Sequence, residues 1–113
     1  MADFLQQRVE NIVSLLENKK AESVRWFDLR ESDYFVDAVV LATAFVDKHA
    51  LALLDELKTH LKPLGEEFLS VDEGSDWIVV DLGDILVHLF TENHRKKFNL
   101  EEFLSAFTKQ RTG

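Results

Sequence analysis

Five consecutive apolar residues, Ala38, Val39, Val40, Leu41 and Ala42, constrain this chain more than any other feature. A strand with one wet face alternates apolar and polar side chains, whereas an unbroken apolar run is expected of a strand covered on both faces. Stripes that can cover it are present. Leu5, Val9, Ile12, Val13 and Leu16 recur at three- and four-residue steps and make one apolar face of a first helix, with Asp3 placed to cap it. Ala50, Leu53, Leu54, Leu57 and Leu61 make a second, capped by Asp47 and stopped by Pro63 and Gly65. Leu100, Phe103, Leu104 and Phe107 make a third, opened by an Asn99-x-x-Glu102 capping pattern.

Between these lie further strands. Residues 24–29 are short and rich in strand formers, 68–71 predict another, and 77–80 and 85–90 are apolar runs separated by Asp81-Leu82-Gly83-Asp84. Close spacing around a turn glycine predicts a hairpin. The order helix, strand, strand, helix, strand, strand, strand, helix predicts an α/β (α+β) sandwich with a mixed sheet of about five strands and flanking helices. With 113 residues the chain suits one domain, 1–113, with its core over 3–104 and a short polar tail at 108–113.

Composition narrows the function. Twenty-one acidic against thirteen basic residues leave a net charge of −8, a poor basis for wrapping a phosphate backbone. Such a surface either serves solubility or complements a basic protein partner. The absence of cysteine removes disulfides, thiolate nucleophiles and cysteine-based zinc sites, and fits a reducing cytoplasm. Residues 1–20 carry no signal-peptide-like apolar run, and nothing approaches the roughly 18 apolar residues that span a membrane.

Along the last strand Ile85, Val87 and Leu89 point to one face, and Asp84, Leu86, His88 and Phe90 to the other. A Leu82-Gly83 loop brings Trp77, Val79 and Asp81 to the second face; a three-residue loop with a left-handed Gly83 brings Ile78 and Val80 instead. Either this face stays uncovered and offers an aromatic-and-acid patch, or Trp77 and Phe90 pack under a terminal helix with His88 hydrogen-bonded inside.

Chemistry finds little footing. The four histidines, His49, His60, His88 and His94, show no paired-ligand spacing, so no metal or cofactor is expected. Asp81 and Asp84 are either good turn residues or a carboxylate pair able to hold magnesium. The four scattered glycines build no phosphate-cradling loop. Arg95-Lys96-Lys97 is a short basic island, either solvated or touching nucleic acid.

The stretch 76–90, with Trp77, the Asp81-Leu82-Gly83-Asp84 turn and the Val87-His88 pair, resembles the Iojap-like ribosomal silencing factor family. The similarity extends through the run 37–43 ending in Thr43, through Lys48-His49 and Pro63-Leu64-Gly65, and to Arg95, Phe98, Leu100 and Glu101. The chain departs from the family pattern at Ala44, Phe45 and Val46, at Asp33-Tyr34, and near Leu104, where the family's Trp is absent. The resemblance implies a nucleotidyltransferase-like fold without catalytic equipment. It implies binding to the large ribosomal subunit through ribosomal protein L-fourteen, which blocks joining of the small subunit and represses translation under nutrient limitation. On that footing Trp77, Leu86, His88 and Phe90 are the expected anchors, with Asp81 and Asp84 at the rim. The alternatives are a divergent nucleotidyltransferase using Asp81 and Asp84 with magnesium, and a structural homodimer.

Overall fold

A computed structural model describes residues 4–74 and 76–109. Its elements run α1 (Phe4–Asn18), β1 (Glu22–Asp28), β2 (Ala38–Ala44), α2 (Asp47–Leu61), β3 (Ser70–Glu73), β4 (Trp77–Asp81), β5 (Ile85–Thr91), α3 (Glu92–Phe98) and α4 (Leu100–Lys109). One five-stranded sheet has the order β1-β2-β5-β4-β3. Its single parallel pair is β2 with β5; all other pairs are antiparallel. All seven residues of β2 are buried, as a central strand between two layers requires.

Alternation sorts the side chains between those layers. Val40, Ala42, Val80, Val87 and Leu89 face α1 and α2, whose stripes Val9, Ile12, Leu16 and Leu53, Leu57, Leu61 close over them. Val39, Leu41, Leu86 and Phe90 face the opposite way, where Phe27, Leu29 and Leu104 complete a smaller core. Leu104 is the α4 residue that reaches fully inside. Among the described residues no helix is long and apolar enough to cross a membrane.

Several local expectations are corrected. Asp47 does not cap α2: it is the first helical residue, and Val46 occupies the cap position without a side-chain bond. His49 does related work, its Nδ1 accepting from the Phe45 N–H at 3.0 Å while its Nε2 meets the Lys19 carbonyl at 2.7 Å. The strand expected at 68–71 is displaced to 70–73. The last helix expected after Asn99 is α4, and ahead of it stands α3, which was not expected and which Asn99 ends with a left-handed φ of 45° and its N–H on the Arg95 carbonyl. The Asn99 side chain donates to the Glu102 carboxylate at 2.7 Å rather than accepting from its backbone. Helix α4 continues through Lys109, into the expected polar tail; 110–113 and Asp3 lie outside the described residues.

The hairpin turn is Gly83-Asp84, closed by the Leu82 N–H on the Ile85 carbonyl at 2.9 Å. Gly83 has φ 97°, a left-handed value that favours glycine, and the turn stands one residue along from the expected Leu82-Gly83 loop. The turn is clamped from below. Arg8 of α1 donates Nη1 and Nη2 to the Asp84 carboxylate at 2.7 and 2.8 Å, and Nε and Nη2 to Glu66 at 2.8 and 2.9 Å. That guanidinium holds the Asp84 carboxyl below its ordinary range.

Candidate functional site

The register Trp77↔Phe90, Val79↔His88, Asp81↔Leu86 puts these six side chains on one face, because directly opposed residues of an antiparallel pair share a side. This is the face away from α1 and α2. Five of the six expected site residues are therefore together: Trp77, Asp81, Leu86, His88 and Phe90. Asp84 is not. As a turn residue it leaves the pleat, and Arg8 draws it toward the opposite layer. The carboxylates of Asp81 and Asp84 also take different partners, since Asp81 Oδ1 accepts from the Gly83 N–H at 2.8 Å. Among the described residues no group of three or more histidines and acids is placed to hold a metal ion.

The face is graded from closed to open. Leu86 and Phe90 are buried, whereas Trp77, Val79, Asp81 and His88 are half-buried. The cause is the placement of the C-terminal helices: α4 lies against β1, and α3 against β5 and β2, so the β4 side keeps its side chains partly open. Both readings of the face thus hold in part. Phe90 is core under α3, and Trp77 sits at the uncovered edge.

Trp77 is seated by neighbours that sequence reasoning passed over. Its ring centre lies 6.2 Å from His94, which stands 5.8 Å from Phe90 and 4.5 Å from Phe98. His94 is oriented by Asp76 at 3.3 Å. Gly74 makes room: a Cβ there would come within 2.4 Å of the Trp77 indole nitrogen, so only glycine allows this packing. Beside them Phe98 and Phe103 are large and exposed, and Tyr34 stacks edge-on to Phe103 and Phe107 at 6.1 and 5.0 Å. The available signal was the aromatic spacing on both sides of Asn99, where Phe98 and Phe103 bracket the helix break.

The basic island also divides. Lys96 and Lys97 are exposed, but Arg95 is only 8% exposed and faces inward, bonded to Glu101, the Ser23 carbonyl and the Thr43 hydroxyl.

His88 carries a measurable signature. Burial, and then the nearby His94, push its pKa down from 6.5 to about 4. The folded imidazole stays neutral where the unfolded one takes a proton. The stability contributed is therefore fully present above about pH 6.5 and is lost as the pH falls to about 4. The shift corresponds to about 3 kcal/mol. In urea unfolding across that range, His88→Leu is expected to lose much less stability with falling pH than the parent; parallel slopes would contradict a neutral His88.

The fold and this face define a small α/β/α module with one semi-open aromatic sheet face edged by acid. The chain belongs to the ribosomal silencing factor family: the model of that family, described as ribosomal silencing factor during starvation, matches residues 2–112. It is 32% identical over 97 residues to a ribosomal silencing factor of Haemophilus influenzae, covering 83% of this chain and 94% of that one. It is 32% identical over 94 residues to the chloroplastic Iojap protein of Zea mays, covering 79% of this chain and 40% of that longer protein. A crystal structure of a Chromobacterium violaceum protein shares the fold, with a TM-score of 0.83, 22% identity, and coverage of 88% of this chain and 85% of that one.

Proposed function

We propose that this protein docks on the large ribosomal subunit through ribosomal protein L-fourteen and blocks joining of the small subunit, acting in the cytoplasm as a steric repressor and not as an enzyme. One observation carries the reading: a half-exposed Trp77, seated on Gly74 and His94, at the open edge of an otherwise finished sheet face. Aromatic anchors beside buried apolar side chains, with acid at the margin, are what interfaces use. The net charge of −8 suits a basic partner. Steric exclusion needs affinity and bulk, and no tuned acid or base. Lys96 and Lys97 are the exposed cations of the basic island, available for a minor contact with ribosomal RNA.

The test is co-sedimentation of the purified protein with isolated large subunits, before and after adding small subunits. Pelleting with large subunits and fewer joined particles is the expected result. Protein left at the top of the gradient at moderate salt would overturn it. Asp81→Lys is expected to slow association about three- to tenfold and to flatten its salt dependence. An unchanged rate would remove Asp81 from the rim. Against the magnesium-dependent alternative stand the separate partners of the two carboxylates, the Gly83 N–H for Asp81 and Arg8 for Asp84. Concentration-dependent sedimentation of the free protein tests the homodimer.

A further inference from the structure

The order of the elements builds a second feature, apart from the hairpin. Strands β2 and β5 are parallel neighbours, yet β2 leads into α2 on one side of the sheet and β5 into α3 and α4 on the other. On the side of α3 and α4 lies a cleft of about 370 Å³, lined by the start of β1, Thr43 of β2, α3 and the start of α4, with Glu22, Glu92 and Asn99 among its residues. Its volume lies within the range of small-molecule sites.

The floor is made by Arg95. Its Nε donates to Glu101 at 2.8 Å, and its Nη1 to the Ser23 carbonyl and Thr43 Oγ1, both at 2.8 Å. These three bonds and the Phe90 ring, 5.6 Å from the guanidinium carbon, fix the plane of the fork. Nη2 makes none of these bonds. Arg95 lines the cleft, and Nη2 is the nitrogen that its three anchor bonds leave over. Ser23 holds a left-handed φ of 49° next to an irregularity in the β1–β2 register, which turns its carbonyl onto Arg95. A non-glycine residue in that conformation costs free energy that the surrounding structure must supply.

Arg25 and Lys96 line the same cleft, each held by a single carboxylate: Arg25 by Glu101, and Lys96 by Glu92 in an exposed pair. Glu101 is shared between Arg25 and Arg95, so one carboxylate faces two guanidinium groups. A fixed fork with a free nitrogen and two movable cations fits tetrahedral oxyanions, because guanidinium geometry matches phosphate oxygens.

We propose that this cleft, with Arg95 as its base and Arg25 and Lys96 as its arms, binds a small molecule bearing a phosphate or diphosphate group. Binding exchanges the exposed Arg25 and Lys96 pairs for contacts with the ligand and leaves the Arg95 anchor bonds in place. Trp77, Asp81 and His88 of the hairpin face do not line this cleft, and its test uses the free protein without ribosomes.

The experiment titrates the isotopically labelled full chain with sodium pyrophosphate, against sodium chloride at matched ionic strength, by heteronuclear NMR. Saturable shifts at Ser23, Thr43 and the Arg95 Nε–H are expected with pyrophosphate alone, with a Kd on the order of 0.1–1 mM. Arg95 variants risk losing the fold, so the deciding variant is Arg25→Gln with Lys96→Gln, both on exposed arms. It is expected to weaken binding tenfold or more while the rest of the spectrum stays in place. Shifts that follow ionic strength equally with both salts, or an affinity the double variant leaves unchanged, would overturn the site.

Discussion

Trp77→Ala is expected to weaken association with the large ribosomal subunit by about 30-fold or more, as loss of a central aromatic anchor costs upward of about 2 kcal/mol. The argument rests on how the indole is held. Gly74 lies under it, His94 stands beside it, and Phe90 is its cross-strand neighbour, so the free protein already fixes the ring and little ordering remains for binding. Because Trp77 is also partly packed on the smaller core, the same variant is expected to unfold at a lower temperature. The two effects separate by measuring sedimentation well below the midpoint, where the variant's circular dichroism matches the parent. Trp77→Phe should recover part of the binding. A fully folded Trp77→Ala protein that still pellets with large subunits would remove Trp77 as an anchor.

Arg95→Met is expected to destabilise the fold by about 2 kcal/mol, by leaving the buried Thr43 hydroxyl and the part-buried Ser23 carbonyl without their donor. The Thr43 hydroxyl and the Ser23 carbonyl lose the nitrogen that serves both. Glu101 keeps Arg25, and its partial exposure tempers the loss, which is why the figure stays below that for a fully enclosed pair. For a domain of this size the midpoint should fall by about 10 °C. Lys96→Met, one residue along and fully outside, should change it by less than about 1 °C. Similar midpoints for Arg95→Met and the parent would mean that Arg95 supports nothing.

The contrast between those neighbours shows what the sequence could convey. Arg95, Lys96 and Lys97 read as one basic island because the partners that draw Arg95 inward come from β1, β2 and α4, distant in the chain. Strand β2 was legible, since an unbroken apolar run has few other uses, and so were the helix stripes, whose spacing is a property of the helix itself. Most of the site face was legible for the same reason, because alternation is local. The hairpin register was open on sequence: the structure takes neither expected loop but a Gly83-Asp84 turn, one residue along from Leu82-Gly83, which still keeps Trp77, Val79 and Asp81 on the face of Leu86 and Phe90. Asp84 looked like a rim acid because nothing nearby in sequence announces Arg8. Asn99 read as a cap for one helix, and its left-handed backbone makes it the hinge between two.

The central parallel pair has a consequence for how the molecule comes into being. Ala38 pairs with Ile85 and Ala44 with Thr91, so the strand most in need of cover waits for a partner made much later. While the chain is being synthesised, β2 can find only β1, and its other edge keeps its backbone N–H and C=O groups unpaired between mostly apolar side chains. Contacts this distant form slowly, and an unpaired apolar edge invites other chains in the interval. The first half should therefore not persist as a folded fragment, and ordering should arrive in one step once β5 has left the exit tunnel.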